Sequence, residues 1–79
     1  MKIERVQTGV RLEKRLVKVL KAVAEYHDLT LGDLMEGVLL HALDGQAPFT
    51  PATLEVIADF KRIYGLDLTH LDAHQLSED

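Results

Sequence analysis

The 79-residue sequence contains no cysteine and no tryptophan, and only two prolines. The absence of cysteine excludes disulfide frameworks, thiolate nucleophiles and cysteine-ligated zinc fingers, and it agrees with a reducing compartment, which we predict to be the cytoplasm. Apolar runs are only a few residues long, as at Val38–Leu40, so we predict neither a membrane span nor an export signal. A chain this short forms one small domain with a marginal core, and oligomerisation would add stability.

Residues for catalysis or metal binding are also scarce. Ser77 is the one serine, no nucleophile is paired with a base, and there is no glycine-rich phosphate loop. We therefore predict that the protein is not an enzyme and needs no cofactor. His70 and His74 have the i, i+4 spacing of metal ligands, but without a third ligand nearby they are interpreted as solvated, and His27 and His41 as structural.

Charge is unevenly distributed along the chain. Residues 1–21 contain seven basic and two acidic residues, a net charge of +5, whereas residues 22–79 contain two basic and eleven acidic residues, a net charge of −9. A basic segment is expected where a protein contacts nucleic acid. The alternative is a lysine-rich helix face that is simply solvated.

The first part of the chain alternates between apolar and polar residues, which predicts a short β-strand from Arg5 to Leu12. One face of this strand would carry Val6, Thr8, Val10 and Leu12, and the other would carry Arg5, Gln7, Gly9 and Arg11. Because a lone strand leaves its backbone groups unpaired, it has to meet a copy of itself. The pattern therefore predicts a homodimer.

Helical periodicity follows the strand. An amphipathic helix is predicted over about residues 13–27, with lysines on its outer face. Capping signals predict two more helices, one beginning after Thr30 and ending at Gly45, and one beginning after Thr50 and ending at Gly65. A last short turn is predicted at Leu68–Asp72.

Residues 6–45 resemble the ribbon-helix-helix superfamily of Arc/MetJ/CopG-type bacterial repressors. The features that carry the resemblance are the alternating strand, the run Val10-Arg11-Leu12, the Leu16, Leu20 and Ala24 spacing, and the run from Thr30 to Met35. The resemblance implies a mainly α-helical chain with one short N-terminal β-strand. Residues 1–45 would form a dimerisation and DNA-binding core, and residues 46–79 would form a C-terminal helical extension.

The resemblance also implies a set of site residues. A two-stranded ribbon would enter the DNA major groove, with base contacts from Gln7, Gly9 and Arg11. Phosphate contacts would come from Arg5, Lys14, Lys18, Thr30 and Leu31, the last two at a helix N-terminus. The dimer core would contain Val6, Thr8, Val10, Leu12, Leu34, Val38 and Leu39.

Two functions agree with these features. One is a dimeric, sequence-specific DNA-binding transcriptional regulator, most simply a repressor, whose partners are a second copy and double-stranded DNA. The other is a dimeric interaction module or antitoxin, whose acidic residues 46–79, with Phe49, Phe60 and Tyr64, bind a partner protein.

Overall fold

The computed structural model describes residues 1–78, which contain three α-helices. Helix α1 spans Lys14–Tyr26, α2 spans Leu31–Leu43 and α3 spans Pro51–Tyr64. A single 3-10 turn, His70–Asp72, follows α3. None of these helices has the length and apolar character needed to cross a membrane.

The predicted β-strand is wrong, and with it the ribbon-helix-helix fold class. Between residues 1 and 78 the structure contains no strand, and the N-terminal segment, residues 1–13, has no regular secondary structure. The apolar side chains of the expected strand face solvent, with Val6 81% and Val10 67% exposed. Alternation determines which side chains share a face, but a strand also needs a neighbour for its backbone hydrogen bonds. The described chain supplies no such neighbour.

The helix boundaries follow the predicted capping residues. The Thr30 hydroxyl accepts a hydrogen bond from the Asp33 amide at 3.1 Å, and the Thr50 hydroxyl accepts one from the Thr53 amide at 3.2 Å. Gly65 ends α3 in the left-handed conformation, with φ of 68°. These local signals place the helices correctly because each depends on residues within one helical turn.

The hydrophobic core is built around α1, which packs against both other helices. The five buried apolar residues of this core are Val19, Val23, Ala24, Leu34 and Leu66. Six half-buried residues surround them: Leu20, Val38, Phe49, Ile57, Phe60 and Leu68. Residues 46–78 therefore share one core with the segment before them.

The residues predicted for a dimer core have different surroundings in the single chain. Leu34 is buried and Val38 packs against the core, whereas Leu39 is 55% exposed. Residues 6–12 are exposed throughout. Leu39 and the N-terminal segment are therefore surfaces that the described residues of the single chain leave uncovered.

Candidate functional site

Three lysines form a stripe along the exposed face of α1. Lys14, Lys18 and Lys21 are spaced by four and three residues, so they share one side of the helix. The buried Val19 and Val23 lie on another side. Within residues 1–78, none of the three lysines belongs to an ion pair. This lysine stripe is a cationic surface that no acidic side chain among the described residues neutralises in an ion pair.

Arg15 lies beside the stripe but has a structural role. Its Nε donates to Glu13 at 2.9 Å, and its Nη1 donates to the Gly65 carbonyl at 2.8 Å and to Asp67 at 2.9 Å. The hydrogen bond between Arg15 and Glu13 raises the pKa of Arg15 and lowers the pKa of Glu13. Glu13 also caps α1 by accepting from the Leu16 amide at 2.8 Å. Arg15 thus ties the start of α1 to the end of α3.

The residues predicted to contact bases lie in the exposed N-terminal segment. Arg11 donates from Nη2 to a Glu78 carboxylate oxygen at 2.6 Å, and both side chains remain mostly exposed. Gln7 and Gly9 are exposed as well. A Cβ at Gly9 would meet nothing within 4 Å, so packing in the single chain does not require glycine there.

The residues predicted to contact phosphate do not form one site. Arg5 forms a bidentate ion pair with Glu36, in which its Nε donates to Oε2 at 2.9 Å and its Nη2 donates to Oε1 at 3.0 Å. The hydrogen bond from Arg5 lowers the pKa of Glu36, and Glu36 in turn raises the pKa of Arg5. Thr30 caps α2 and Leu31 is its first residue, so both follow the C-terminal end of α1. Lys14 lies at the N-terminal end of α1, which at 1.5 Å per residue is about 20 Å away along the helix. Only Lys14 and Lys18 stand together, on the stripe.

A second feature is an exposed apolar face on α2, formed by Leu39, Leu40 and Leu43. These side chains are 55%, 68% and 86% exposed. Across the described residues, sixteen large hydrophobic residues are exposed while the core buries only five. Monomeric soluble proteins seldom expose apolar surface on this scale, so the apolar face of α2 is a candidate interface.

The histidines make hydrogen bonds within the fold. His27 Nε2 lies 3.2 Å from the Thr53 hydroxyl, and His41 Nδ1 donates to the Gly37 carbonyl at 2.7 Å. Both agree with the structural interpretation. Among residues 1–78, no group of three or more side chains is arranged to hold a metal ion.

Comparisons of the chain with protein-family models, with curated proteins and with solved structures found no match.

Proposed function

We propose that this protein is a homodimeric DNA-binding regulator of transcription that contacts duplex DNA through its first 21 residues. The observation that carries the proposal is the lysine stripe, three cations on one helix face that have no acidic partner among residues 1–78, in a chain of net charge −4. Lysines placed in this way can neutralise phosphates and release the counterions bound to DNA, which provides affinity without regard to sequence.

Sequence preference would come from the N-terminal segment. Arginine can donate two hydrogen bonds to guanine and glutamine can pair with adenine, and each such pair contributes about 1–3 kcal/mol of discrimination. Arg11 and Gln7 supply these groups on an exposed segment without regular secondary structure that precedes the stripe in the sequence. The exposed Arg11–Glu78 pair would open on binding, at low cost because solvated ion pairs are weak.

A DNA-binding titration over a range of salt concentrations tests this function. We expect the protein to bind duplexes at low salt, with the logarithm of the binding constant falling linearly with the logarithm of the salt concentration. A selection from random duplexes would then supply a preferred sequence. Failure to bind any duplex at low salt would contradict the proposal.

Arg11→Ala should separate affinity from specificity. We expect the variant to remain folded and dimeric, because Arg11 is exposed, while binding to the preferred sequence weakens by about 1–3 kcal/mol for each base that Arg11 reads. Preference at that base should relax. Fluorescence anisotropy with the preferred duplex and with duplexes mutated at single positions measures both effects. If the variant matches the parent in both respects, Arg11 does not read DNA.

Leu39→Asp tests the dimer. Leu39 is 55% exposed in the single chain, so we expect the three-helix core to stay folded while the dimer dissociates, because a carboxylate would be buried at the interface without a partner. Light scattering reports the mass and circular dichroism reports the helices. Leu54→Asp is the matched control, because Leu54 is 52% exposed but lies on α3. If the Leu39→Asp variant remains dimeric, α2 does not form the dimer interface.

A partner-binding module or antitoxin is a second candidate, favoured by exposed apolar residues after residue 46. Leu54, Ile63 and Leu71 are 52%, 66% and 72% exposed. Phe49 and Phe60, which the sequence suggested for this surface, pack instead against the core. Failure to bind any duplex at low salt would favour this candidate, because a partner-binding module does not require binding to DNA.

A further inference from the structure

The N-terminal segment and α2 are complementary in charge. Residues 1–12 contain three basic residues and one acid, a net charge of +2, and α2 contains two acids and no lysine or arginine, a net charge of −2. The bidentate ion pair between Arg5 and Glu36 joins the N-terminal segment to α2, although Arg5 and Glu36 are 31 residues apart in the sequence. Such pairs also fix the relative orientation of the groups that carry them.

Both sides of this pair carry apolar residues that stay exposed. Val6 follows Arg5 directly and Val10 lies on the same segment, while Leu39 and Leu40 are one helical turn after Glu36. Within one chain the pair forms, yet Val6 is 81% and Leu40 is 68% exposed. The arrangement inside a single molecule therefore satisfies the charges and leaves the apolar surface on both sides uncovered.

A second copy of the chain fits this surface. Each copy contributes a cationic segment with valines and an anionic helix with leucines, so a two-fold axis lets each copy donate one element and receive the other. Residues 1–12 have no regular secondary structure and precede the Glu13 cap of α1, so moving them to a neighbouring molecule breaks no helix. Such an exchange would keep both ion pairs, and any added apolar burial would come from the new contact between the two copies.

We propose that in the homodimer the N-terminal segment is exchanged, so that Arg5 of each copy pairs with Glu36 of the other and the segment covers the partner's apolar face of α2. This inference rests on the dimer of the proposed function and specifies its contacts. The partner is a second copy of this chain.

Charge reversal across two chains tests the exchange. Arg5→Glu and Glu36→Arg should each weaken the homodimer, because every exchanged pair then places like charges together. When the two variants are unfolded together and refolded, one of the two exchanged pairs in the heterodimer joins the two substituted residues and the other joins the two native ones, so both are attractive. Native mass spectrometry should then find the heterodimer well above the share of about one half that random assortment gives. If Arg5 and Glu36 pair within one chain, each variant keeps two like charges together, and mixing the variants does not restore an attractive pair.

The matched control uses Arg62→Glu and Asp59→Arg. Arg62 and Asp59 lie three residues apart on α3 and pair at 3.0 Å within one chain. Mixing these variants should leave the heterodimer at about one half, the random share. The absence of native cysteine allows a second measurement, in which an Arg5→Cys, Glu36→Cys double variant is treated with a short bismaleimide. Exchange gives covalent dimers, and pairing within one chain gives looped monomers.

The outcomes distinguish the two proposals. If the unmodified protein is dimeric but the charge-reversed mixture assorts randomly, or the double variant gives looped monomers, the exchange is overturned while the dimer stands. If the unmodified protein is monomeric at high concentration, the exchange falls together with the proposed homodimer. DNA binding is measured independently of both.

Discussion

Leu34→Ala is expected to lower the free energy of unfolding by about 2–5 kcal/mol, the range for removing a buried leucine side chain. Leu34 is 5% exposed and is the one buried residue of α2. It therefore provides the main apolar anchor between α2 and the core around Val23. A reduction of this size is a large part of the stability of a small domain. Urea denaturation followed by circular dichroism measures it.

Ile63→Ala is the control for this effect. Ile63 is also a large aliphatic residue on a helix but is 66% exposed, so its truncation should change the free energy of unfolding by about 0.5 kcal/mol or less. Equal destabilisation by the two substitutions would mean that the exposed side of α3 is covered in solution. A small effect of Leu34→Ala would mean that Leu34 is not part of the core.

Replacing Lys14, Lys18 and Lys21 together by alanine is expected to have the largest effect on DNA binding. The plot of log binding constant against log salt should become shallower by about one unit for each phosphate that is no longer neutralised, about three units if each lysine neutralises one. Affinity should fall alike for every duplex sequence, because phosphate contacts carry no sequence information. The helix itself should persist, since alanine is a strong helix former.

Lys61→Ala provides the comparison for the lysine stripe. Lys61 is exposed on α3, outside the basic segment, so its removal should leave the salt dependence unchanged. If the triple variant retains the parent's slope, the stripe is a solvated helix face and the DNA-binding proposal loses its main support. The triple variant should also contrast with Arg11→Ala, which is expected to change base preference rather than the salt slope alone.

Local signals in the sequence determined the three helices of this protein. Thr30, Thr50 and Gly65 mark helix ends through hydrogen bonds or a backbone conformation set within one turn, and the structure has its boundaries at these residues. The periodic placement of Val19 and Val23 likewise determined the buried side of α1. These features were predictable because their physical causes operate over a few neighbouring residues.

The lysine stripe was predictable in part. The spacing of Lys14, Lys18 and Lys21 places them together on a helix face, but spacing does not tell whether an acid from elsewhere in the chain neutralises them. Arg15, with the same sign of charge and the same local surroundings, is tied to Asp67 and to the Gly65 carbonyl. The difference arises because packing of α3 brings the residues after Tyr64 to the start of α1.

The sequence by itself determined the three helices, the caps at Thr30, Thr50 and Gly65, and the basic N-terminal end. Only the tertiary structure decided the conformation of residues 1–13 and the partners of the arginines. Alternation at Val6–Leu12 described a two-sided segment, but strand formation depends on backbone partners that residues 1–78 of a single chain do not supply. Arg5 and Arg11 meet Glu36 and Glu78 across 31 and 67 residues. Contacts over such separations depend on how helices pack, which no local pattern encodes.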